Sequence, residues 1–207
     1  MSTRYIPERN PLDGYLFSPP QTLEDVWDIA MIRPCEEWIP LPIPTFNGNY
    51  CVNIGPGAKH MFGWRELDYP DWDAETDSLP FQDNTVLAIF TAHTLDHLSP
   101  QAVTNLLVEG QRVLVDGGTI TVVVPHFLGQ LAWECIEHKS RFGLKTWRNI
   151  LDNPMYDPIG SRDQRGRAFR WEMRVGFNRI LGNEEANLAL VSQLVRVPRR
   201  EKGERNE

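Results

Sequence analysis

Cysteine is scarce. Cys35, Cys51 and Cys135 are odd in number and scattered through 207 residues, which argues against a disulfide framework and fits a reducing compartment. Long hydrophobic runs are missing too: stretches such as residues 119–125 fall far short of the roughly 20 residues a membrane-spanning helix needs, so no membrane partner is expected. The opening MSTRYIPERN has no apolar signal-peptide core, and no internal repeat is visible. The expected location is therefore cytoplasmic. What is present is ordinary for a globular protein: 41% hydrophobic and 24% charged residues exclude wholesale disorder. The length suits one α/β domain with decorations better than two full domains.

The net charge of −7 hides a division along the chain. Residues 1–138 hold 6 Lys and Arg against 19 Asp and Glu, a balance of −13, whereas residues 139–179 hold 10 against 4, a balance of +6. The remainder cancels, with 5 of each sign. A basic segment in an acidic protein suits an anionic substrate or a nucleic-acid backbone, and equally a set of solvated or internally paired arginines. Arg162, Arg165, Arg167, Arg170 and Arg174 interleave with Phe169 and Trp171 in that segment. The alternation fits an anion grip, and fits the wet face of an edge strand at least as well.

Eight of the sixteen prolines lie in the first 44 residues, so residues 1–48 read as a Pro-rich strap or lid, with one short amphipathic helix over 22–32 anchored by Trp27 and Trp38. From Tyr50 the pattern becomes short apolar runs alternating with amphipathic stretches, the pattern of a sheet with crossover helices. Strands are expected at 50–54, 65–68, 86–91 and 119–125. A helix should start at the N-cap Ser99, run to about Leu114 and be ended by Gly117 and Gly118. Further helices are expected at 128–138 and 144–151, and an antiparallel strand pair at 169–177 and 188–197. The fold class is thus α/β: a Rossmann-like, mostly parallel sheet with flanking helices and an antiparallel edge pair, occupying residues 49–197. Residues 198–207 read as a disordered, charged tail.

Three local features carry chemistry. Val52-Asn53-Ile54-Gly55-Pro56-Gly57 is an apolar strand breaking into a glycine turn, where missing Cβ atoms let a ligand approach the backbone; a plain tight turn would look the same. Asp68 ends the next short strand, where a carboxylate can accept hydrogen bonds from paired ribose hydroxyls. Gly55 and Asp68 are only 13 positions apart against the usual spacing of about 20, so the first crossover must be short. Third, Asp77 precedes the turn Leu79-Pro80-Phe81 that leads into the 86–91 strand, beside the place for a bound base.

In order, from about Cys51 to Leu151, these segments resemble the compact, type 11-like branch of the class I S-adenosylmethionine-dependent methyltransferases. The resemblance continues through Ala92-His93-Thr94-Leu95-Asp96-His97-Leu98, then Arg112-Val113-Leu114 with Gly117-Gly118 and an apolar strand ending at Pro125, and His138-Lys139-Ser140-Arg141-Phe142. It implies S-adenosyl-L-methionine as cofactor, with Asn53, Gly55 and Gly57 around its methionine and ribose part. It implies Asp68 on the ribose hydroxyls, Asp77 and Leu79 flanking the adenine, and Thr91 near the methionine end. Ala58 replaces a third glycine and Leu87 replaces an acid of many relatives, and Leu87 weakens the match at the reacting end.

Methyl transfer is an in-line displacement that needs alignment, and a base only if the acceptor must lose a proton. His93 and His126 follow the 86–91 and 119–125 strands and are the candidate bases; each could equally be structural. His93 and His97 have i, i+4 spacing, and Cys135 with His138 forms a second pair, which formally admits zinc, but no dense Cys/His spacing supports it and no metal is assigned. The expected acceptor is a small molecule or a glycan, an anionic one among the options, with a catalytically silent scaffold and a nucleic-acid methyltransferase as the rival readings.

Overall fold

The computed structural model describes residues 49–57, 61, 63–152, 169–180 and 188–198. The expected strap helix at 22–32, the charged tail and Arg162, Arg165 and Arg167 lie outside these residues. The elements run β1 (Tyr50–Ile54), β2 (Arg65–Leu67), β3 (Val86–Ala92), α1 (Pro100–Val113), β4 (Leu114–Pro125), α2 (Leu131–Glu134), α3 (Leu144–Asp152), β5 (Phe169–Ile180) and β6 (Leu188–Pro198). They build one six-stranded sheet in the order β2-β1-β3-β4-β6-β5. β2, β1, β3 and β4 are mutually parallel, while β6 runs antiparallel to both β4 and β5. The Rossmann-like sheet with an antiparallel edge pair is therefore what forms.

The central strands read as nearly continuous apolar runs because both faces of a parallel sheet are covered. On one face Val52, Ile54, Ile89, Ile120 and Val122 join the main core, into which α1 turns Val103, Leu106 and Leu107. The other face carries a smaller cluster of Phe90, Ala92, Val123 and Val191, against which Met61 and Trp64 pack. α1 starts as its sequence dictates: the Ser99 side chain accepts the Ala102 amide at 3.1 Å and Pro100 takes the first helical position. Its interior Gly110 has a packing reason, since a Cβ there would come within 3.2 Å of the Trp171 ring of β5.

Two expectations are corrected. Gly117 and Gly118 do not end the helix; α1 stops at Val113, and Leu114 is already extended opposite Val86. Between that pair and the next, β4 advances from Leu114 to Thr119 while β3 advances only from Val86 to Ala88, so the glycines serve a bulge, with Gly117 at φ 77°. The helix expected over 128–138 shrinks to α2. Leu128, Trp133 and Ile136 are 70%, 63% and 96% exposed, so its apolar residues never share a buried face that would sustain a longer helix.

Candidate functional site

The chain leaves β1 towards β2 on one side and returns to β3 on the other, which makes the carboxyl ends of β1 and β3 the topological switch point where open α/β sheets take ligands. Gly55 and Gly57 turn the chain there with φ of 65° and 52°. The Gly55 amide donates to the Leu67 carbonyl at 2.9 Å, pinning the turn to β2. The Gly57 amide donates to Asp68 Oδ2 at 3.2 Å, and the Tyr69 amide to Oδ1 at 3.0 Å. Asp68 is exposed, so its carboxylate faces the glycine turn and solvent together.

The two glycines do different work. Among the described residues, a Cβ on Gly57 would meet nothing within 4 Å. A Cβ on Gly55 would overlap the Thr94 hydroxyl, which donates to the Ile54 carbonyl at 3.2 Å. Gly55 is thus required by Thr94, a protein side chain, whereas no described residue crowds Gly57.

The other expected cofactor residues differ in burial. Asn53 is buried within β1, on the face opposite Val52 and Ile54. Thr91 is fully buried on β3 opposite Ile54, its hydroxyl unpartnered among the described residues. Asp77 is exposed and spends its carboxylate on a local turn, accepting the Asp73 amide at 2.9 Å. Leu79, expected beside a base, is instead 3% exposed within the main core.

His93 stands one residue beyond β3 at φ 55°, a left-handed backbone uncommon for a non-glycine residue, held by its amide donating to Val123 O at 2.8 Å. Desolvation lowers its proton affinity; the Asp96 charge opposes this, and His138 and His97 add to it. His126 is 4% exposed, and burial lowers its pKa as well. Its Nδ1 accepts the Leu128 amide at 3.2 Å, which places the proton of the neutral ring on Nε2. Through this bond His126 ties down the loop after β4.

Sequence reading missed several residues. Arg112 fastens the 79–83 turn, donating to Leu79 O at 2.9 Å, Phe81 O at 2.8 Å, Asp83 at 3.0 Å and Glu109 at 2.6 Å. These carboxylates, Glu109 foremost, raise its pKa further. The i, i+3 spacing of Glu109 and Arg112 was a readable signal. Trp72 is nearly buried and donates to Ser78 O at 3.0 Å, holding the same connection from the other side. His97, Cys135 and His138 bring ligand-type atoms within 4.8 Å of one another, and Asp96 lies 2.8 Å from His138. The sequence offered Cys135 with His138 as a pair and His97 in another, but nothing in the separation between the pairs announced that they meet.

No protein-family model matches the chain, and neither does any curated protein sequence. Solved structures do. Haemonchus contortus phosphoethanolamine N-methyltransferase 1, in complex with phosphoethanolamine and S-adenosylhomocysteine, superposes with a TM-score of 0.56 at 17% identity, over 89% of this chain and 44% of that one. The chain thus spans less than half the length of that enzyme. A structure of a methyltransferase complexed with the Haloferax volcanii Trm112 activator gives 0.51 at 14% identity, over 86% of this chain and 90% of that one. With the strand order and the glycine turn, these likenesses show that the chain has the class I S-adenosylmethionine-dependent methyltransferase fold.

Proposed function

We propose that the chain is an S-adenosylmethionine-dependent methyltransferase acting on a small-molecule or glycan-type acceptor. The observation that carries this reading is the Gly57 amide paired with the Asp68 carboxylate at the carboxyl ends of adjacent parallel strands, with no described residue within 4 Å of a Cβ placed on Gly57. An ionised carboxylate offers about four lone-pair sites. Two are taken by the Gly57 and Tyr69 amides, which fix the group and leave acceptor capacity for two sugar hydroxyls. The residues present therefore fit a nucleoside.

When bound, S-adenosylmethionine supplies an electrophilic methyl group on a sulfonium. The chain's task is alignment and exclusion of water. Gly55, locked against Thr94, sets the path of the turn, and Gly57 admits the ligand to the backbone. Arg112 and Trp72 hold the 72–83 connection that flanks the base side, where Asp77 is the exposed polar residue. On the acceptor side His93, kept neutral by burial, is the group to accept a proton if the acceptor must lose one.

Calorimetric titration with S-adenosylhomocysteine tests the reading. Asp68→Ala should weaken binding at least tenfold; equal affinity of variant and parent would remove the proposal. A catalytically silent member of the fold is the second reading, and Thr94 pressed against Gly55 favours it because that side chain occupies half of the glycine turn. Measured turnover on any acceptor would exclude it, whereas cofactor affinity without turnover on a broad acceptor panel would favour it. The arginine-rich stretch that motivates a nucleic-acid substrate lies largely outside the described residues and supports neither reading.

A further inference from the structure

We infer that His97, Cys135 and His138 form a binding site for a zinc-type divalent cation, on the loops that follow β3 and β4. The site is independent of whether the chain transfers methyl groups. One ligand-type atom from each residue lies within 4.8 Å of the other two. In a tetrahedral zinc site, bonds of about 2.0–2.3 Å place donor atoms roughly 3.3–3.7 Å apart. Closure therefore takes side-chain shifts of about 1 Å, available to a His97 ring that is 35% exposed and to a half-buried Cys135.

The second observation is a set of buried polar groups that the protein leaves unsatisfied. The His138 side chain is 7% exposed, yet its Nδ1 has no hydrogen-bond partner among the described residues. Asp96 is 1% exposed, and among the described residues neither of its carboxylate oxygens accepts a hydrogen bond of proper geometry. The nearest cationic candidate for Asp96 is His138 Nε2 at 2.8 Å from Oδ2, with His97 Nε2 at 3.9 Å. Unmet buried groups of this kind are costly. Ligation through Nδ1 of His138 would partner that nitrogen and keep the ring proton on Nε2, beside Asp96. Carboxylates behind metal-bound imidazoles play this part in zinc sites.

The framework is built without the ion. The Lys139 and Ser140 amides donate to the Asp96 carbonyl at 2.7 and 3.0 Å, and the Ser140 hydroxyl donates to Leu98 O at 2.7 Å. The segment carrying His138 is thereby stapled to the turn carrying Asp96 and His97. The two imidazoles meet edge-on with centroids 4.7 Å apart, so both rings stand at one place between the loops. Two imidazoles and a thiolate are a borderline-soft donor set of the kind zinc takes. Binding releases the Cys135 thiol proton to solvent, and three protein ligands leave the fourth position to water.

The test uses the full chain, loaded with cobalt(II) as spectroscopic probe and with zinc in chelator competition. The expected result is about one equivalent of metal and a thiolate-to-cobalt charge-transfer band in the near ultraviolet. Cys135→Ser should abolish the band, and Cys135→Ser and His97→Asn should each weaken zinc at least tenfold while far-ultraviolet dichroism stays unchanged. If Cys135→Ser fails to fold, the half-exposed His97→Asn carries the affinity comparison. Absence of the band in the parent chain, its survival in Cys135→Ser, or unaltered zinc affinity in a folded variant would overturn the site.

Discussion

At Gly55 and Gly57 one kind of residue answers two demands. Both occupy positive φ, where a Cβ costs about 1–2 kcal/mol. Gly55→Ala adds an overlap with the Thr94 hydroxyl, whereas Gly57→Ala meets no described residue within 4 Å. Urea denaturation should accordingly show Gly55→Ala to be more damaging by about 1–3 kcal/mol, with Gly57→Ala losing more in S-adenosylhomocysteine affinity than in stability. His126 makes a pH prediction. Burial lowers its folded pKa below the ordinary 6.5, and protonation would sever the Nδ1 contact with the Leu128 amide. The unfolded chain then binds the proton more readily, so this contribution is fully present above the unfolded value and is lost as pH falls through and below it. Melting curves should shift downward from neutral pH to about 5, less so in His126→Asn, whose amide oxygen can replace Nδ1 as acceptor; identical pH slopes in the two proteins would refute the assignment.

At the scale of elements, α1 is the best-specified piece. Its Ser99 hydroxyl caps the Ala102 amide, and the Ser99 amide is itself taken by the Glu75 carboxylate at 3.0 Å. Burial alone would raise the Glu75 pKa; the Ser99 bonds and Lys139 outweigh it and hold it low. Ser99→Ala removes only the side-chain half of this arrangement and should cost about 1 kcal/mol in chemical denaturation. A loss well above that would mean Ser99 also orders the adjoining turn. β4 shows the converse: its glycines resemble a helix stop, yet their place is a bulge whose cause lies in the pairing with β3.

For the whole molecule, the parallel half of the sheet supplies the candidate site, and the antiparallel pair β6 and β5 closes one edge. No helix among the described residues is long and apolar enough to cross a membrane. A ligand held only by the folded chain stabilises it by mass action, about 2.7 kcal/mol at a hundredfold excess over Kd. S-adenosylhomocysteine should therefore raise the melting temperature by several degrees in the parent chain and by less in Asp68→Ala. No shift in either protein at millimolar ligand would remove the nucleoside site.

The residue sequence alone determined the element order, the α/β class, the edge pair and the glycine turn with its partner Asp68, because apolar periodicity and backbone-conformational needs are written locally. Strand pairing then put Gly57 beside Asp68, 11 residues away, as the sequence pattern implied. Tertiary structure alone decided what fills the space around those residues. Thr94 reaches back 40 residues to the Ile54 carbonyl, Leu79 turns into the core, and His126 spends its lone pair on its own loop. The Asp96–His97 turn meets Cys135 and His138 only because two loops descend from neighbouring strand ends. Such meetings depend on packing between segments distant in the chain, and a periodicity read along one segment holds no trace of them.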